Sequence, residues 1–105
     1  MRRRPLRSSA AVRVVVSDSA ADLIDERGGR LYVWLKQGRC CGAVTSLVSA
    51  SVPPEGKEFR RVAADDRIEL YLPARLGRLP DELQIEGRRF PRRIETYWNG
   101  CAWVT

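Results

Sequence analysis

The chain has no histidine. That excludes a His-activated nucleophile and any zinc site of the Cys/His type. Lysine is nearly as scarce: only Lys36 and Lys57 occur, and neither sits in a motif that would make it a catalytic base. The carboxylate pairs Asp65-Asp66 and Asp81-Glu82 stand beside Arg67 and Pro80, and read as turn formers and surface charge. The parts of a classical hydrolase are therefore missing, and a non-enzymatic role is favoured. No apolar run approaches the roughly 20 residues needed to span a bilayer. The apolar stretch that follows Arg2–Arg4 is broken by Arg13, Ser17 and Asp18, which is too polar for a signal-peptide core. A cytoplasmic location is expected, with no membrane partner. Cysteine is sparse and odd in number, at Cys40, Cys41 and Cys101. A disulfide framework is not expected, and a reducing compartment would keep all three as thiols.

The 105 residues suit one domain, long enough to bury about two-thirds of the surface exposed by the unfolded chain. The net charge is +6, but Arg2, Arg3, Arg4 and Arg7 supply four positive charges at one end. The body is only weakly basic. Residues 1–11 are expected to form a disordered basic tail, with 12–105 as the single folded domain. Nucleic acid is disfavoured as a partner on this count.

Val12 to Val16 is a short β-branched run and predicts a strand. Ser17 is placed to cap a helix, with Asp18 near its positive end. Ala20, Leu23 and Ile24 make one apolar helical stripe. Gly28-Gly29 offers the left-handed conformation that stops a helix. The reading is a helix over 18–27. Beyond it the pattern alternates. Leu31, Val33 and Leu35 share one strand face, with Tyr32 and Trp34 on the other. Strands are also expected over 43–52, over 58–62, through Ile68, Leu70 and Leu72, and at Leu83 and Ile85. Asp65-Asp66 reads as a turn. Near the end, IETYWNGCAWVT places Asn99-Gly100 between two alternating runs, which favours a type I′ hairpin. In that hairpin Trp98 would face Cys101, Thr96 would face Trp103, and Ile94 would face Thr105. The fold class is mainly β with one N-terminal helix.

The chemistry centres on GRCCGAV. Gly38 and Gly42 bracket Cys40-Cys41, allowing a sharp turn that leaves the thiols poorly shielded. Arg39 is adjacent, and Arg30 and Lys36 lie in the preceding strand. Positive charge favours the thiolate, the form that binds metal or attacks. The plainer alternative is a small apolar residue facing the core. Two thiolates do not complete a tetrahedral metal site, so a third ligand is needed. It could come from Cys101 or from a second subunit. Cys101, between tryptophans, could equally be a packed core residue.

The order VRVVVSDSAADLI, helix, Gly-Gly, RLYVWLKQG, Cys-Gly turn, AVTSLVSAS resembles the HesB-like family, the A-type carriers of iron–sulfur cluster assembly. LPDELQIEG resembles that family's late loop and strand. The resemblance covers roughly residues 12–90 and is best over 12–48. It implies a compact antiparallel β-structure, a sandwich or half-barrel. It also implies that Cys41, or Cys40, holds the place of the first cluster ligand. The family's late Cys-Gly-Cys pair is absent here, and Cys101 stands instead in NGCAWV. The doubled cysteine is closer to a subset of small HesB-like proteins with a Cys-Cys motif, in which selenocysteine can replace one cysteine.

Three functions follow as expectations. The first is an iron–sulfur cluster or iron carrier, with Cys40 and Cys41 as ligands, Cys101 assisting, a homodimer completing the shell, and assembly or acceptor proteins as partners. The second is a thiol redox protein working through a vicinal Cys-Cys pair. The third is an interaction module without cysteine chemistry. There RRFPRR, with Arg88, Arg89, Arg92 and Arg93 around Phe90-Pro91, would bind phosphate and stack on a base; a solvated hairpin edge is the plainer reading.

Overall fold

The computed structural model describes residues 3–8, 12–37, 45–75, 80–89, 92–99 and 103–104. In chain order the elements are β1 (Arg3–Pro5), β2 (Arg7–Ser8), β3 (Arg13–Ser17), α1 (Asp18–Glu26), β4 (Arg30–Gln37), β5 (Thr45–Ala50), β6 (Phe59–Ala64), β7 (Glu69–Pro73), β8 (Glu82–Arg89), β9 (Arg92–Trp98) and β10 (Trp103–Val104). The protein is mainly β with one helix, as its alternating patterns imply. The strands make two sheets, ordered β1-β3-β8-β9 and β10-β5-β4-β7-β6-β2. Both are mixed: β3 runs parallel to β8, and β4 runs parallel to β7. Neither sheet closes into a barrel among the described residues.

The β3–α1–β4 unit forms where local chemistry demands it. Val14 and Val16 point into the core while Arg13 is exposed. Ser17 keeps an extended backbone, and its Oγ accepts the Ala20 N–H at 3.2 Å. At the other end the Gly29 N–H donates to the Ile24 carbonyl and the Gly28 N–H to the Asp25 carbonyl. Both glycines have positive φ, +107° and +81°, which completes a Schellman stop. Ala20, Ala21, Leu23 and Ile24 are buried. The helix packs chiefly on β8. Its stripe joins Val14, Val16, Leu31, Val33, Leu70, Leu72, Leu83 and Ile85 in one core between the sheets. Burying a side chain such as Ile24 contributes about 1.5–3 kcal/mol.

The Asp65-Asp66 turn is built by Asp65, whose Oδ1 accepts the N–H of Arg67 at 2.8 Å and of Ile68 at 2.9 Å. Arg67 then reaches the helix, pairing with Asp22 and Asp25.

Two expectations need correction. A tail without structure does not hold over Arg3–Ser8. There β1 pairs with β3 and β2 pairs with β6, so the segment straps across both sheets. Leu6, between the two strands, is 6% exposed, and its N–H donates to the Val14 carbonyl at 2.9 Å. One buried leucine is enough, because an edge strand leaves Arg7 exposed to water. Pro5 is tolerated there for the same reason: an edge leaves an N–H unused.

The terminal hairpin is the second correction. Trp103 is paired with Ser46 and Val104 with Thr45, both on β5, and not with β9. Asn99 does take the left-handed conformation, with φ +50°. Its N–H, however, donates to the Glu82 carbonyl, and its Oδ1 accepts the Glu82 N–H. The turn residue is used to seal β8 against β9, and the chain then joins the other sheet.

Candidate site at the β4–β5 connection

The doubled cysteine lies in the connection between two paired strands. β4 and β5 are antiparallel, and their register runs from Tyr32 opposite Ala50 to Gln37 opposite Thr45. The seven residues 38–44 join the ends of that ladder. Gly38, Arg39, Cys40, Cys41 and Gly42 themselves lie outside the described residues, as does Cys101. The ladder around them is defined. Thr45 has Gln37 on one side and Val104 on the other, and Ser46 has Lys36 and Trp103. The strand that begins two residues after Cys101 is therefore bonded to the same two rungs that anchor the cysteine connection. The strand ends that flank the cysteine connection and the strand that follows Cys101 thus meet at the β10 edge of the larger sheet.

β7 runs parallel to β4, so Pro73 ends at the same end of the sheet as Gln37. There a cavity of about 450 Å³ is lined by Leu35, Gly56, Lys57, Glu58, Pro73 and Arg75. Its lining carries two cations, Lys57 and Arg75, and one carboxylate, Glu58.

The face of β4 that carries Tyr32 and Trp34 continues across the sheet. Tyr32 stacks on Tyr71 with centroids 4.8 Å apart and meets Phe59 edge-on at 5.3 Å, and Trp34 meets Phe59 at 6.1 Å. The alternation of β4 signalled Tyr32 and Trp34. Phe59 and Tyr71 join them only through the strand order β4-β7-β6, which no local pattern gives.

Charged networks flank these features. Glu69 is held below the ordinary carboxylate value, first by Arg61 at 2.9 Å and then by Arg30 at 3.3 Å. Glu95 is likewise lowered, first by the Tyr97 hydroxyl, which donates to it at 2.6 Å, and then by Arg88 and Arg93. A carboxylate with a lowered folded pKa contributes stability that is present above its unfolded value, near 4.5. That contribution is lost as pH falls through the folded value. Glu95→Gln is therefore expected to flatten the fall in melting temperature on acidification below about pH 4.5, read by circular dichroism. A variant curve parallel to the wild type would remove Glu95 from the acid response.

Among the described residues no group of three or more cysteines and carboxylates is placed to hold a metal. No described helix is long and apolar enough to cross a membrane.

The fold and this connection define a mainly β domain that carries an adjacent cysteine pair at the end of a strand ladder. The chain belongs to the CC/Se motif containing family, whose model matches residues 12–98. The match includes Cys40 and Cys41 and stops short of Cys101. No curated protein and no solved structure matches the chain.

Proposed function

We propose that the chain is a HesB-like, non-enzymatic carrier that holds an iron–sulfur cluster or iron on the thiolates of Cys40 and Cys41. The observation behind this reading is the doubled cysteine itself, which lies within the matched residues 12–98 while Cys101 lies beyond them. The donor set suits such a cargo. Two adjacent thiols without histidine are soft ligands, matched to iron–sulfur clusters and other thiophilic metals. Two ligands do not complete a four-ligand shell. Cys101 supplies one more if its stretch folds toward the rungs that β10 shares with the cysteine connection; otherwise a second copy supplies the rest. Acceptor or assembly proteins would be the partners, in a reducing compartment such as the cytoplasm.

The family's name supports a second reading. Selenium in place of sulfur at such a pair suits attack and redox exchange, because a selenol ionises more readily than a thiol. One thiolate of the pair attacks a substrate disulfide, forming a mixed disulfide and releasing one substrate thiolate. Its neighbour then displaces the other, leaving a Cys40-Cys41 disulfide and a reduced substrate. A vicinal disulfide is strained and is readily reduced again by cellular thiols.

Anaerobic reconstitution with ferrous iron and sulfide tests the first reading. Wild type is expected to develop visible absorption with bound iron and sulfide, and Cys40→Ser/Cys41→Ser to fall to the protein-free background. Cys101→Ser separates the two sources of the remaining ligand. Retained iron means a second chain completes the site. A colourless wild type would sink the carrier reading. Mild oxidation would then have to yield a two-hydrogen mass loss within the peptide containing both cysteines, or the redox reading fails as well.

A further inference from the structure

The core takes Leu31, Val33, Leu70 and Leu72 from β4 and β7, so alternation turns Arg30, Tyr32, Trp34, Glu69 and Tyr71 to the outer face of the larger sheet. Phe59 and Arg61 of β6 stand on that face too, opposite Pro73 and Tyr71 in the register. Contacts fix where these side chains go. Tyr32 is 8% exposed and forms the base of the cluster, stacked on Tyr71 and met edge-on by Phe59, which also meets Trp34. Trp34, Phe59 and Tyr71 are only half-buried, so part of each ring is left for a partner. Beside the rings, Arg30 and Arg61 meet the Glu69 carboxylate at 3.3 Å and 2.9 Å, and the Tyr71 hydroxyl donates to it at 3.3 Å. Both arginine side chains remain more than half exposed, at 61% and 58%. Lys36, two residues beyond Trp34 on β4, shares the face and is exposed. Among the described residues the strand positions of this face carry three cations, Arg30, Lys36 and Arg61, against one carboxylate, Glu69.

We infer that this face binds single-stranded nucleic acid, with unstacked bases against Trp34, Phe59 and Tyr71 and phosphates beside Arg30, Arg61 and Lys36. A cluster of rings on an open sheet face offers apolar and π contact to any base, and cations on the same face answer the backbone charge. Each guanidinium has five N–H donors, and the single Glu69 carboxylate does not use those of two arginines. Guanidinium forks pair with phosphate oxygens in a bidentate way. Charge selects this partner over a second copy of the chain, because two such faces would set three cations against three. It also selects a single strand over a duplex, whose bases are already stacked and which would leave the rings unused. RRFPRR takes no part: its strands, β8 and β9, belong to the other sheet.

The test is fluorescence anisotropy of a labelled oligouridylate of about eight nucleotides, titrated with the full chain. Oligothymidylate of the same length is the second arm, and a duplex is the third. Both single strands are expected to bind, and the duplex to bind about tenfold more weakly. Either ranking of the two single strands supports the inference; tighter RNA adds a contact to the 2′-hydroxyl. Phe59→Leu keeps an apolar side chain but loses the ring, and is expected to weaken binding about tenfold. Arg61→Gln is expected to weaken it about fivefold and to lower the slope of log affinity against log salt by about one. Arg93→Gln is the matched control. It removes the same charge from the corresponding Glu95 network on the smaller sheet, away from the ring cluster, and should change affinity by less than about twofold. Circular dichroism confirms that each variant is folded, and the exposed Arg61 and Arg93 keep the comparison open if Phe59→Leu is not. No binding, equal binding of duplex and single strands, or equal weakening by Arg61→Gln and Arg93→Gln would overturn the inference. So would a wild-type dimer that ignores the oligonucleotides and dissociates in Phe59→Leu, which would give the face to a second copy.

Discussion

Gly87→Ala is expected to cost about 3 kcal/mol or more, in the range of overpacking at a site that cannot yield. The reason is a backbone-to-backbone approach. A Cβ on residue 87 would lie 2.7 Å from the Ala20 nitrogen and 2.7 Å from the Ser19 carbonyl carbon, with the Ser19 Oγ at 2.9 Å. The two closest are backbone atoms, which no side-chain rotation can move aside. Relief requires moving the first turn of α1 off β8, and that turn is fixed. The Gly87 N–H donates to Ser17 Oγ at 3.2 Å, and the Gly87 carbonyl accepts from Ser19 Oγ at 3.4 Å. Urea denaturation measures the loss. Gly28→Ala is the control: its φ is +107°, but an added Cβ meets nothing within 4 Å. It should cost only the left-handed penalty, about 1 kcal/mol. Equal losses for both variants would show that α1 slides without strain.

Gly87 also marks the limit of what the sequence reveals about the fold. The β3–α1–β4 unit was legible because each of its signals is local: a cap at Ser17, a stripe at Ala20, Leu23 and Ile24, and a stop at Gly28-Gly29. The need for glycine at 87 arises from two residues nearly seventy positions away, and EGRR carries no sign of it. The Asn99-Gly100 signal shows the same limit from the other side. Its local conformation was read correctly at Asn99, but a turn preference does not say which strand the chain joins next. Pairing with β5 instead of β9 was decided by the hydrogen bonds of Asn99 to Glu82 and by the edge that β5 presents. The arginines near the N-terminus were read by charge, and Leu6 by itself was too short a signal to count as a strand.

The candidate site divides in the same way. The cysteine pair was legible from composition, since two adjacent thiols between glycines are unusual in so cysteine-poor a chain, and the family match spans them. The aromatic face was half legible: alternation along β4 gives Tyr32 and Trp34, while Phe59 and Tyr71 join them only through the strand order β4-β7-β6. RRFPRR drew attention as a run of charge, and two of its arginines, Arg88 and Arg93, pair with Glu95.

Ser17→Ala is expected to have the second large effect, about 2–4 kcal/mol. Ser17 is fully buried, and its Oγ accepts two N–H groups, from Ala20 and from Gly87, each at 3.2 Å. One is an orphan donor of the first helical turn, and the other belongs to β8. Alanine keeps the volume nearly unchanged, so the loss is one of hydrogen bonding. Losing a cap alone costs about 1 kcal/mol, and a second buried N–H left unsatisfied adds about 1–3 kcal/mol. Against a total stability of about 5–15 kcal/mol this is a large fraction. Ser19→Ala removes a neighbouring hydroxyl that is only half-buried and lies 3.2 Å from Ser17 Oγ. It leaves both N–H groups bonded to Ser17, and should cost well under half as much. Hydrogen exchange separates this account from a general loosening. In Ser17→Ala the amides of Ala20 and Gly87 should lose protection together, ahead of Leu70 and Leu72 in the other sheet. If Gly87 stays protected while stability falls, the hydroxyl is not what ties the helix to β8. The tie would then rest on apolar packing of Ala20 and Ile24, and Ile24→Ala would carry the larger cost.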